Sequence, residues 1–294
     1  MNGPIVVISD LHLGRPRHAA KSAEALRPLW HGARHLIVNG DLAEVHHPVH
    51  WPTAARETLK LFDMCETDGV ELTLLSGNHD PYLSDLRHLH LADGQVFITH
   101  GDVLHPAVAP WSPASARIRE AHEQALAALK PEDRDTLEAR LSACQHASFA
   151  EWQQIKSLQE EAAHSTLLGM LIRPWALVGV VAYWRAFPRL AEAFVRRHTP
   201  NAKYALLGHT HRPGIWTVGQ LVIVNTGSYG FPGRPLGVII ENERLRVVRI
   251  VSRQNRYRFD STVREYPLPF PAHPRTAQHA RHHPKRCQEP FSRP

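Results

Sequence analysis

Cysteine is scarce in this chain. Cys65, Cys144 and Cys287 are widely spaced, with no C-x-x-C pair. That pattern excludes a disulfide framework and a cysteine-built zinc site, and it fits a reducing compartment. No leader segment is expected either, because Met1 is followed almost at once by the apolar run Ile5–Ser9. Cytoplasmic location is therefore the expectation. Only one apolar run is long, Leu167–Trp184, and Arg173-Pro174 interrupts its middle. Its length approaches that of a membrane span. The Arg-Pro break, and its place between polar clusters that must meet in space, favour a membrane-facing or substrate-facing cap. There is no internal repeat.

Charge of one sign is also missing where it would matter. The formal net charge is +6, yet residues 252–294 alone carry nine Lys/Arg against three Asp/Glu. Residues 1–251 are therefore neutral overall, without the basic footprint of a nucleic-acid-binding domain. The excess belongs to a Pro-, His- and Arg-rich tail, expected to be disordered over 263–294.

What the chain does have is five polar clusters, each closing a run of β-branched and apolar residues. They are Asp10-Leu11-His12, Gly40-Asp41, Gly77-Asn78-His79-Asp80, His100-Gly101-Asp102 and Gly208-His209-Thr210-His211. Asp, Asn and His bind divalent cations of intermediate hardness. Strand ends are where open α/β sheets build their sites. Asp10 and His12, like His209 and His211, stand two residues apart, so in extended backbone each pair shares a face.

Singly, these clusters are weak signals. Asp-x-His and Gly-Asp are common turn chemistry, and Gly-Asn-His-Asp before Pro81 also reads as an N-cap and turn. Their order and completeness carry the argument. Two divalent cations about 3.5–4 Å apart clamp a phosphorus centre for in-line displacement. At that separation they repel by on the order of 20 kcal/mol even at an effective dielectric of about 20, so an anionic group must lie between them. Asp41, alone after its strand, suits that bridging role.

Residues 4–103 alternate short apolar runs with helical stretches at Ala19–Trp30 and Pro52–Asp68, which reads as βαβ units and a largely parallel sheet. Residues 113–198 show helical spacing over Ser115–Lys130, Pro131–Gln145 and Ala150–Ala163. After Asn201 the pattern turns to strands at Lys203–Leu207, Gly214–Val218, Gln220–Val224, Leu236–Glu241 and Arg244–Val251, the last two forming a hairpin.

The ordered set D-x-H, GD, GNHD, HGD and GHTH resembles the calcineurin-like metallophosphoesterase superfamily over about residues 4–250. The resemblance implies a mixed α/β fold, a sandwich of two sheets flanked by helices. Its two halves would be residues 1–104 and 201–262, with a helical cap insertion at 105–200. It implies two divalent cations, one held by Asp10, His12, Asp41 and His211 and the other by Asp41, Asn78, His100 and His209. A hydroxide between the cations would be the nucleophile. His79 would serve the leaving oxygen, oriented by Asp80. Manganese is the expected metal, with iron or zinc as alternatives, because the donor set is not the all-oxygen shell calcium prefers. Asp102 either fixes its turn, orients His100 or touches metal itself.

Ser9–Leu13 (SDLHL), the helical insertion and Gly208–Pro213 (GHTHRP) are further similar to UDP-2,3-diacylglucosamine diphosphatases, which carry Arg where this chain has His79. That similarity implies a phosphorylated, lipid-linked nucleotide substrate and peripheral membrane contact through the cap. Trp175, Tyr183, Trp184 and Phe187, interleaved with Arg173, Arg185, Arg189, Arg196 and Arg197, supply apolar and basic character for it. The alternatives are a general phosphodiesterase or phosphatase, a nuclease of the same superfamily, and a non-catalytic module on this scaffold. Nucleic acid is not the expected partner. His46, His47, His50 and His105 lie near the clusters in sequence and are read as surface residues bordering the site.

Overall fold

The computed structural model describes residues 3–16, 19–112, 114–159, 174–230 and 233–269. The run Leu167–Arg173, the end of the expected Ala150–Ala163 helix and the tail from 270 onward lie outside the described residues.

Two mixed sheets pack face to face. The first has the order β11-β10-β9-β1-β2-β3, and the second β4-β5-β6-β8-β7. In the first sheet β1 (Ile5–Ile8), β2 (His35–Asn39) and β3 (Glu71–Leu75) run parallel. There β9 (Leu236–Glu241), β10 (Arg244–Arg253) and β11 (Arg256–Pro267) extend the sheet antiparallel. In the second, β5 (Val96–Thr99), β6 (Tyr204–Leu207) and β8 (Leu221–Asn225) are parallel, and β4 (His88–Leu91) and β7 (Gly214–Val218) are antiparallel edges. The sheets are thus mixed rather than largely parallel, with parallel centres.

The alternation along each strand builds three apolar layers. Val7, Ile37, Ile98, Leu206 and Val224 meet between the sheets. Val6, Ile8, Leu36 and Val38 face outward onto α1 (Ala23–Leu26) and α2 (Trp51–Thr67), whose Leu26, Leu61 and Cys65 complete that layer. Phe97, Ala205, Leu207 and Ile223 face the insertion, packing on Ile118, Leu141, Cys144, Tyr183 and Phe187. These come from α3 (Ser115–Ala127), α4 (Leu137–Gln159) and α5 (Pro174–His198).

Several expected boundaries shift for local reasons. The first helix begins at Ala23, capped by Ser22 Oγ accepting from Ala25 N, and Pro28 turns its end into a 3₁₀ segment. No helix starts at Pro131. Residues 131–136 form turns, and Thr136 Oγ1 accepts from Ala139 N at 3.2 Å to open α4. From there α4 is continuous to Gln159 because 145–150 contain no breaker. Ordered structure also passes the expected limit of 262, since β11 reaches Pro267 and Leu268 is buried. Among the described residues, no helix is long and apolar enough to cross a membrane.

Candidate active site

Because β1, β2 and β3 are mutually parallel, as are β5 and β6, the loops that follow them gather at one end of the sandwich. Asn39 ties the two sheets together there. Its Nδ2 donates to the carbonyls of Thr99 at 2.9 Å and Leu206 at 3.2 Å. All seven expected ligands, Asp10, His12, Asp41, Asn78, His100, His209 and His211, come together in this place. All are buried except the half-buried His211.

Asp10, His12, Asp41 and His211 each offer an atom within 4.8 Å of the others. His12 Nε2 and His211 Nε2 are 2.9 Å apart, and His211 Nε2 lies 3.4 Å from Asp10 Oδ1. The second set converges on Asn78 Oδ1, which is 2.9 Å from His209 Nδ1 and 3.3 Å from His100 Nε2. Asp41 joins the two sets. Its Oδ2 lies 3.7 Å from His12 Nε2 and 3.3 Å from His100 Nε2, and it is buried without a well-formed hydrogen bond. Its other oxygen accepts from His79 N at 2.8 Å.

The backbone is bent to achieve this. Asp10, His12, Asp41, His209 and His211 all have positive φ, between 48° and 70°. Such strain in non-glycine residues costs of order 1–3 kcal/mol each, and it clusters at functional sites. Gly40 (φ +79°) belongs to the same device, because a Cβ there would collide with the His100 ring.

Hydrogen bonds on the far side of each imidazole choose its free nitrogen. Nδ1–H of His12 donates to Glu44 Oε1 at 2.9 Å, Nδ1–H of His100 to the Asn39 carbonyl at 3.0 Å, and Nε2–H of His209 to the Val108 carbonyl at 3.0 Å. In each ring the opposite nitrogen faces the cluster. Burial lowers the pKa values of His12, His209 (to about 4) and His211, keeping these rings neutral. Burial disfavours the Asp41 carboxylate, but His100, His79 and His12 outweigh it and hold the group well below the usual carboxylate range. Burial pushes Asp10 up to about 7 against the pull of His100. Neutral rings at His12, His209 and His211 beside an ionised, unsatisfied carboxylate oxygen are donors a divalent cation can use, and His100 joins them once it gives up its proton. The residues fit two such ions sharing Asp41.

Two roles read from the sequence are corrected. Asp80 does not orient His79. Its carboxylate accepts from the backbone N–H groups of Gly77 (2.7 Å), Leu42 (2.6 Å), Asp41 (3.2 Å) and Ala43 (3.3 Å), and so binds the β2 loop to the β3 loop. The residue that holds His79 is Glu44, whose Oε2 lies 3.2 Å from His79 Nδ1. Glu44 is fully buried and also receives Arg15 Nε at 3.1 Å. Sequence reading missed it, although its place three residues after Asp41 was the available signal. Asp102 neither touches the cluster nor orients His100. It accepts from Arg87 at 2.7 Å and from Cys144 at 3.1 Å.

Around the cluster, Asn225 Nδ2 donates to the Gly208 carbonyl at 2.5 Å and to Thr210 Oγ1 at 3.0 Å, bracing the loop that carries His209 and His211. His47 is used in its own turn, accepting from Val49 N and His50 N. His105 likewise accepts from Ala107 N.

Fold and site together define a metal-dependent phosphoester hydrolase. The family model for calcineurin-like phosphoesterases matches residues 3–213, and the chain belongs to that family. No curated protein matches it. Solved structures that resemble it include Vacuolar Protein Sorting 29 from Cryptosporidium parvum, at 10% identity and TM-score 0.40, covering 90% of this chain and 98% of that one. Another is Vps29 from Entamoeba histolytica complexed with zinc, at 12% identity and TM-score 0.38, covering 90% and 99%. A third is YfcE, a phosphoesterase from E. coli, at 14% identity and TM-score 0.40, again covering 90% and 99%. At these scores the likenesses add nothing to the assignment.

Proposed function

We propose that the chain hydrolyses a phosphoester or pyrophosphate bond using two divalent cations, manganese foremost, held by the two ligand sets that share Asp41. The observation that supports this most is Asp41 Oδ2, buried and unsatisfied between His12 and His100. Such cations, when bound, polarise the phosphoryl group and lower the pKa of a water molecule enough to make a nucleophile at neutral pH. Everything else falls to the side chains. Glu44 holds His79 by Nδ1, so the proton on Nε2 is the one presented to the departing oxygen. In the metal-free chain burial draws the His79 pKa down, but Glu44 and Asp41 outweigh it and push it to about 9.

For substrate we propose a phosphorylated molecule with an apolar portion, a lipid-linked nucleotide such as UDP-2,3-diacylglucosamine being the leading instance, taken at the cytoplasmic face of a membrane. Support comes from the insertion side of the cluster. Trp111 and Tyr183 lie against His209, Trp184 Nε1 donates to the Thr210 carbonyl at 3.1 Å, and the Arg212 guanidinium sits 5.5 Å from the Trp184 ring centre. Aromatic rings beside a guanidinium suit a ligand with both apolar and anionic parts.

The test is a substrate panel on chelated protein with Mn²⁺ added back: p-nitrophenyl phosphate, its bis ester, a cyclic nucleotide, the UDP-linked lipid and single-stranded DNA. Release of UMP from the lipid at the highest kcat/KM is expected. Turnover without metal overturns the two-cation reading, and equal turnover of the simple esters overturns the lipid-nucleotide assignment.

A further inference from the structure

Helix α4, which lies in the insertion, bonds at three points to the loops around the candidate centre. Cys144 Sγ donates to Asp102 Oδ2 at 3.1 Å, Gln145 Nε2 donates to the Pro81 carbonyl, and Trp152 Nε1 donates to the Asn78 carbonyl at 3.0 Å. Gln145 and Trp152 are seven residues apart and so share one helix face. Trp152 is only 5% exposed, and its ring meets His79 edge-on with centroids 5.4 Å apart.

The carbonyl of Asn78 and the N–H of His79 belong to one peptide group. The N–H is taken by Asp41 Oδ1 at 2.8 Å and the carbonyl by Trp152. A peptide plane held at both polar ends cannot rotate about its flanking bonds, and that fixes the Asn78 Cα and the direction its side chain leaves the backbone. Asn78 Oδ1 is the atom on which His100 and His209 converge.

We propose that Trp152 is a positioning residue for Asn78: its indole N–H, carried by the insertion, sets the peptide from which the second ligand set is completed. The insertion is then a working part of the metal centre and not only a cover over it. The inference rests on the two-cation reading above and adds a residue to which that reading assigns nothing. Were Trp152 there only to fill space, phenylalanine would lower stability through the lost volume but leave the affinity for the second cation unchanged.

Trp152→Phe keeps an aromatic ring and removes the donor. Titration with Mn²⁺, followed by calorimetry, is expected to show the first equivalent unchanged and the second weakened about 10-fold or more, as when a group supporting a metal ligand is lost. At limiting Mn²⁺, kcat on bis(p-nitrophenyl) phosphate should fall while KM changes little, and excess Mn²⁺ should restore kcat. Wild-type binding of both equivalents with wild-type kcat in Trp152→Phe overturns this inference alone. A wild-type protein that binds no cation overturns the two-cation reading along with it. A second measurement follows the indole itself. In wild-type protein with isotopically labelled tryptophan, the Trp152 indole N–H, identified by its loss from the Trp152→Phe spectrum, is expected to shift as the second equivalent of Zn²⁺ is added, and absence of that shift overturns the inference.

Discussion

Glu44 Oε1 lies 2.9 Å from His12 Nδ1, and this contact decides which nitrogen of His12 faces the cluster. The same carboxylate holds His79 through its second oxygen at 3.2 Å, so one buried side chain orients a candidate metal ligand and the proposed acid together. Glu44→Gln preserves shape but removes the charge that favours N–H on both rings. It should lower kcat by about 10–100-fold, the usual cost of losing such a support. Steady-state kinetics at saturating Mn²⁺, with circular dichroism showing an intact fold, checks this.

Cation binding should release protons. In the metal-free chain, burial draws His100 down, but Asp41, with Asp10 and Asp102, outweighs it and pushes the ring to about 10. A folded value raised above the ordinary 6.5 means that this ring's stabilisation of the metal-free fold is complete below that pH and fades as pH rises through about 10. A bound cation needs the ring neutral, so it must displace the proton, and apparent affinity should climb with pH. Calorimetry at neutral pH in buffers of different ionisation enthalpy should give buffer-dependent heats. Buffer-independent heats would contradict this.

Stability should depend on a pair outside the cluster. Arg87 is 7% exposed and donates to the fully buried Asp102, which also receives Cys144. Arg87→Leu strands that carboxylate and should cost about 3–5 kcal/mol in urea unfolding. Arg87→Leu combined with Asp102→Leu should cost less than the single change, because no unpaired charge remains.

Two glycines with similar backbone angles should behave differently. Gly40 (φ +79°) faces the His100 ring, whereas Gly32 (φ +82°) has open space around the position of a Cβ. Alanine at either adds conformational strain of about 1–2 kcal/mol. Only Gly40→Ala should also abolish turnover, by displacing His100. Equal residual activity in the two variants would argue against the steric account.

The convergence of the seven candidate ligands is legible because each follows an apolar run, and parallel strands deliver such positions to one end. The helper residues were not, since Glu44, Arg87 and Trp152 gain meaning only from partners far along the chain. Asp80 was misjudged for a related reason. Adjacency to His79 suggested a side-chain partner, but its carboxylate serves four backbone N–H groups that no pattern announces. Among the strands, β11 was missed because its exposed residues, such as Arg256, Arg258, Asp260 and Glu265, mask the alternation. Likewise β4 was missed, with only four residues.

Metal stoichiometry is the most direct test of the shared-carboxylate centre. Protein stripped with chelator, reloaded with Mn²⁺ and freed of excess should contain two equivalents per chain by elemental analysis. Asp41→Ala should lose tight binding at both positions, because Asp41 belongs to each ligand set. A wild-type chain holding one equivalent or none, or an Asp41→Ala chain retaining both, would contradict the account.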